Sequence, residues 1–80
     1  MRLQHMEMQK ELLMRRDKAR RIVRLMGESL PAKKWWTKAD LNLFFHYPET
    51  TEKAVSYAVC HGWIRLSRNK QQVIIYALQD

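Results

Sequence analysis

Pro48-Glu-Thr-Thr-Glu-Lys-Ala-Val-Ser-Tyr-Ala-Val-Cys-His-Gly-Trp-Ile64 is the stretch from which the rest of the chain takes its arrangement. It opens as a helix opens. Proline lacks the N–H that the first turn would leave unsatisfied, and Glu49 and Glu52 lie toward the positive end of the helix dipole. It closes on Gly62, the residue best suited to the left-handed conformation just past a helix end. Between them Thr51, Ala54, Val55 and Ala58 recur at i, i+3, i+4 and i+7, one narrow face of a 3.6-residue period. Those side chains are small, so the helix can lie close against its neighbours. A strand is expected directly after the glycine.

Upstream, Thr37-Lys-Ala-Asp40 reads as an N-cap with an acid at the third helical position, a variant of the capping box. The helix it opens is short, Lys38 to about Phe45, with Ala39, Leu41 and Phe44 or Phe45 as its buried contacts. His46-Tyr47 then connects it to Pro48. Downstream, Trp63–Ser67 and Gln72–Leu78 are rich in β-branched and aromatic residues and flank the polar connector Arg68-Asn-Lys-Gln71, in which Asn69 tolerates positive φ. This predicts an antiparallel hairpin with a basic tip, with Ile64 and Leu66 alternating inward. Val73–Tyr76 is continuously apolar, so the second strand is expected to be covered on both faces or to be the central one of three. Gln79-Asp80 is a tail.

From about Met6 to Met26 nothing breaks a helix and most residues are good helix formers. Leu12, Ala19, Val23 and Met26 share a face with Ile22, and Gly27 is expected to supply the stop. The N-terminal half carries Met1, Met6, Met8 and Met14, whose flexible thioethers suit irregular surfaces. Arg15-Arg-Asp-Lys-Ala-Arg-Arg21 and Arg24 place cations all around this helix. That reads first as a solvated face, with a secondary phosphate-contacting role open to it. Leu30-Pro-Ala-Lys-Lys34 is a connector. Trp35 and Trp36 are expected to pair briefly with the hairpin. Adjacent strand residues face opposite sides, so only one can be buried, and Trp36 is the one expected inside.

The chain has 80 residues, 46% of them hydrophobic, enough for one small core. Fifteen Lys plus Arg against eight acids leave a formal charge of +7, which points to a polyanionic partner. Cys60 is the single cysteine, which excludes an intramolecular disulfide and fits a reducing compartment. There is no apolar run of signal-peptide length, and no segment approaches the ~20 apolar residues needed to span a bilayer. A soluble, cytoplasmic protein is expected, with no membrane partner.

The residues Thr37-Lys-Ala-Asp-Leu41, Thr51–Ala58, His61-Gly-Trp-Ile64 and the hairpin to Leu78 together resemble a winged helix-turn-helix domain of the small phage or bacterial regulator type. The resemblance covers about residues 22–78. It implies an α+β fold, with a three-helix core and a C-terminal β-hairpin wing over 22–80, preceded by a helical extension, 1–21, that could pair with its copy in a homodimer or grip a protein partner. It also implies transcription regulation through double-stranded DNA, nucleoid-associated when bound. The recognition helix 48–61 would enter the major groove, and the wing 63–78 would lie on the backbone or in the minor groove. On that helix Thr50 and Ser56 could contact bases or phosphate, Lys53 guanine or phosphate, and Tyr57 a phosphate oxygen through its hydroxyl. Arg65, Arg68 and Lys70 would carry positive charge along the wing, and Lys38, beside Lys33 and Lys34, would guard the entrance to the motif. Glu49 and Glu52 on the same face weigh against the reading, and serve the helix dipole.

No nucleophile triad and no glycine-rich phosphate loop appears. His5, His46, Cys60 and His61 are the only soft or borderline metal ligands, and the adjacent Cys60-His61 pair lacks the spacing of a zinc site. Cys60 reads as a small, partly buried helix residue and His61 as a cation favoured by the helix C-terminus. No enzyme activity, metal or cofactor is expected. The competing reading is a winged-helix protein–protein module, an adaptor or inhibitor, anchored by exposed aromatics such as Trp35 and by the Met-rich N-terminal helix. RNA binding by stacking on exposed aromatics is a third reading.

Overall fold

A computed structural model of the chain describes residues 2–45 and 47–79, with side chains from residue 9 onward. Met1, His46 and Asp80, and the side chains of His5, Met6 and Met8, lie outside the described residues. So does most of the expected Met-rich face, of which Met14 is described and is exposed.

Three helices precede one hairpin: α1 (Arg2–Glu28), α2 (Lys38–Asn42), α3 (Pro48–Cys60), β1 (Ile64–Arg68) and β2 (Ile74–Leu78). The architecture is that of a small α+β protein. α1 passes straight through Gly27, which was expected to end it. A helical glycine costs only about 1 kcal/mol relative to alanine, which packing overrides. The helix stops at Ser29, whose amide and hydroxyl both donate to the Leu25 carbonyl (3.2 and 2.8 Å), just ahead of Pro31. Ala19, Ile22 and Met26 are buried as the period required, so the core reaches back into the segment 1–21. Leu12 and Leu13, farther toward the N-terminus, are half exposed.

α2 begins as its sequence dictated. The Thr37 hydroxyl accepts from the Asp40 amide (3.1 Å) and the Asp40 carboxylate accepts from the Thr37 amide (3.0 Å), a complete capping box. The helix is one turn shorter than expected, and only Leu41 of its residues is buried. Ala39 is exposed and Phe44 largely so, while Phe45 packs against the core. So short a helix has room to bury only a single side chain.

α3 buries Thr51, Ala54, Val55 and Ala58. Thr51 is polar but satisfied, its hydroxyl donating to the Tyr47 carbonyl at 3.0 Å. Gly62 has φ +74°, and a Cβ placed there would meet nothing within 4 Å, so conformation rather than space selects glycine. Cys60, expected to be partly buried, is exposed.

The hairpin is antiparallel, with Ile64 opposite Leu78, Leu66 opposite Tyr76 and Arg68 opposite Ile74. Trp36 exchanges both backbone hydrogen bonds with Tyr76 on the other side of β2 (2.9 and 2.7 Å). β2 therefore has a neighbour along each edge, the central position of three, while Val73 at the start of its apolar run is exposed and Ile74 and Ile75 are half buried. Trp36 is 2% exposed and Trp35 42%. Two expectations for the hairpin fail. Leu66 is half exposed, although Tyr76 opposite it is buried. Positive φ falls on Gln72 (φ 66°), not Asn69. Asn69 shapes the turn through its side chain instead, its Oδ1 accepting from the Gln71 and Val73 amides at 2.9 and 3.0 Å.

Among the described residues no helix is long and apolar enough to cross a membrane.

Candidate nucleic-acid interface

With one face of α3 in the core, its other positions set out the candidate surface. Glu49, Thr50, Glu52, Lys53 and Ser56 are exposed, whereas Tyr57, expected among them, is half buried. The Tyr57 ring stacks on His61 (centroids 3.9 Å apart, planes 16°) and meets Trp63 edge-on at 5.6 Å. At seven residues from Thr50 it falls on the flank that faces α1. Arg20 of α1 lies over the Trp63 ring at 6.0 Å. The His61 Nδ1 lies 2.9 Å from the Tyr57 carbonyl, as suits a histidine at a helix C-terminus.

The expected contact residues are held by neighbours. Lys38 Nζ donates to Glu52 Oε1 at 2.9 Å, and that bond, with the carboxylate's charge, raises the Lys38 ammonium above its ordinary range. The pair joins α2 to α3 and neutralises one of the two acids that weigh against a phosphate-facing surface. Both partners are exposed, so the pair opens at little cost. Lys53 lies 3.8 Å from Glu11 of α1. Thr50 donates to the Tyr47 carbonyl (3.0 Å) and accepts from Lys18 (2.6 Å).

Lys53, Ser56 and Tyr57 line one cleft together with Arg15. The hairpin residues form a separate group. The Arg65 guanidinium covers the exposed Trp35 ring at 4.9 Å from its centroid, Arg68 Nη1 donates to the Gln72 carbonyl at 3.0 Å, and Lys70 is exposed in the turn. Cations therefore lie both at α3 and at the hairpin tip. Around Trp36, Lys33 Nζ stands 5.0 Å from the ring and 3.2 Å from Asp40.

The sequence left a secondary phosphate-contacting role open to the α1 cations but did not show which of them share a cleft with α3. Arg15, Lys18 and Arg21, spaced i, i+3, i+6, share one flank of α1 and line a cleft with Tyr47, Thr50 and Lys53. Their spacing was the available signal, and it was diluted by Arg16, Arg20 and Arg24 on the other sides. No group of three or more His, Cys, Asp or Glu side chains that could hold a metal ion occurs among the described residues. The chain matches no family model, no curated protein and no solved structure.

Proposed function

We propose that this chain is a DNA-binding transcriptional regulator with a winged helix-turn-helix fold, α2 and α3 forming the helix-turn-helix and the β1–β2 hairpin the wing. The observation that carries the reading is the two-sidedness of α3. Thr51, Ala54, Val55 and Ala58 are sealed in the core, while Lys53 and Ser56 stand exposed, on a chain of net charge +7 whose hairpin tip bears Arg68 and Lys70. Lys53, Ser56 and Thr50 then face the major groove, and Arg65, Arg68 and Lys70 the backbone or minor groove. Lys38 leaves Glu52 for a phosphate, and Lys53 leaves Glu11. The role is one of binding, with no catalytic step.

The test is duplex binding by fluorescence anisotropy across a range of salt. With four to six phosphate contacts the slope of log K against log salt is about −3.6 to −5.4. A slope near zero removes the proposal. The double substitution Lys53→Ala, Arg68→Ala should abolish duplex binding while leaving the fold intact, since both side chains are exposed.

A second reading, a protein–protein module, is favoured by the apolar side chains around the α2–α3 turn, where Leu43 is 82% and Tyr47 72% exposed. On that reading the Lys53/Arg68 variant still captures its partner, and Leu43→Ser with Tyr47→Ser loses it.

A further inference from the structure

Two adjacent clefts run along the flank of α3 that faces α1, one of about 360 Å³ and one of about 520 Å³. Arg15 and Lys53 line both, so the two are immediate neighbours. Of the two acids at the first cleft, Glu11 already lies 3.8 Å from both Arg15 and Lys53, and Asp17 lies 3.8 Å from Arg16. Neither reaches Lys18 or Arg21.

Lys18 is the odd group. The residue is partly buried, and its ammonium meets neutral groups: the Thr50 hydroxyl at 2.6 Å, the Tyr47 carbonyl at 3.5 Å and the Phe45 ring at 5.4 Å. Burial, and then the charge of Arg21, lowers its pKa from the ordinary lysine value. Removing an ammonium from water beside a second cation is unfavourable unless an anion joins them. The first cleft thus holds two cations with no carboxylate partner among the described residues, and is lined as well by the exposed Thr50 and Lys53 of α3.

We propose that a backbone phosphate of a DNA duplex docks in this cleft on Lys18 and Arg21, so that α1 adds a grip on the strand that passes along α3. The inference rests on the duplex-binding reading above and extends it. The ammonium supplies a point charge, and the guanidinium a planar fork of donors suited to a phosphate's oxygens. The adjacency of the two clefts favours a polymer over a small ion, because a strand seated at Lys18 has the second cleft, lined by Lys53 and Ser56, next along its path.

The test uses the full chain in three forms: wild type, Lys18→Gln with Arg21→Gln, and a charge-matched control, Lys10→Gln with Arg24→Gln, whose cations lie outside the cleft. Each is titrated with duplex over a range of salt, and each with inorganic pyrophosphate while the Thr50 amide is followed by NMR. The Lys18/Arg21 variant should lose about 0.9 from the magnitude of the salt slope, one phosphate contact's worth, while the control keeps the wild-type value. Pyrophosphate should shift the Thr50 amide in wild type and control but not in the cleft variant. A wild type that binds duplex alongside a cleft variant of unchanged slope overturns the inference and leaves the duplex reading standing. So does an equal loss in both variants, which would show only the general field. Pyrophosphate shifts without any duplex binding by wild type overturn both, and leave a cleft for small anions.

Discussion

Thr37 and Asp40 show how much two side chains can organise. Each satisfies the other's backbone amide, and the pair opens a helix of only five residues that could not persist in isolation. Thr37→Ala should cost about 1 kcal/mol, read as a shift in the urea midpoint at unchanged m. The amide of Thr37 in the first place, with help from Lys33, holds the Asp40 carboxyl below its ordinary value of 3.8. A carboxyl with a depressed folded value stabilises the fold fully above its unfolded value, and that stability is lost as pH falls through the folded value. Asp40→Asn should therefore lower the melting temperature at neutral pH and converge with wild type in acid, below about pH 4. A constant gap down to strong acid would show that the charge is irrelevant. Gly62 makes the same point through backbone geometry. Its φ of +74° in open space means Gly62→Ala should cost about 1–2 kcal/mol from conformation alone.

Among the elements, the α1–α3 contact decides the most. Ala19, Ala54 and Ala58 are fully buried, and their small side chains let the helix backbones approach closely. Ala58→Leu should destabilise the fold by about 1–3 kcal/mol through overpacking, measured by thermal or urea unfolding. A neutral result would show slack in the packing. This contact was half legible in the sequence. The small residues of 48–64 announced a close neighbour without saying which one, and the spacing of Arg15, Lys18 and Arg21 was masked by the arginines on the other sides of α1. Periodicity reports which face of a helix is buried, whereas the partner and crossing direction depend on long-range packing. The hairpin was legible for the same reason α3 was: β-branched residues flank a polar turn. The conformation inside that turn was not, because Asn69 could equally adopt positive φ itself or bond the amides that follow, and closure of the loop selected the second.

Across the whole molecule, Trp36 is where the parts meet. Its backbone pairs with Tyr76, its ring lies 5.8 Å edge-on from Phe44, and its side chain belongs to the same core cluster as Ile22, Met26, Leu41 and Ile64. Folded domains hold about 0.05–0.15 kcal/mol per residue, or about 4–12 kcal/mol for a chain of this length. Trp36→Ala should cost about 3–5 kcal/mol, a large share of that total. Loss or marked lowering of the cooperative melt, followed by far-UV circular dichroism, is the expected result. Removing Trp35 by the same substitution should cost far less, since its ring is partly exposed beneath Arg65.

Local chemistry in the sequence determined the order of elements, the capped start of α2, the buried face of α3 and the glycine that releases the chain into the hairpin. Each of these depends on residues within a few positions of one another, where sterics and hydrogen bonding act directly. Only the tertiary structure decided that α1 continues past Gly27, that Tyr57 turns toward α1 instead of outward, that Lys38 meets Glu52, and that Lys18 and Arg21 share a cleft with Thr50. Those outcomes join residues far apart in the chain, 32 positions in the Lys18–Thr50 bond, and are set by how whole elements pack, which no local pattern of residues encodes.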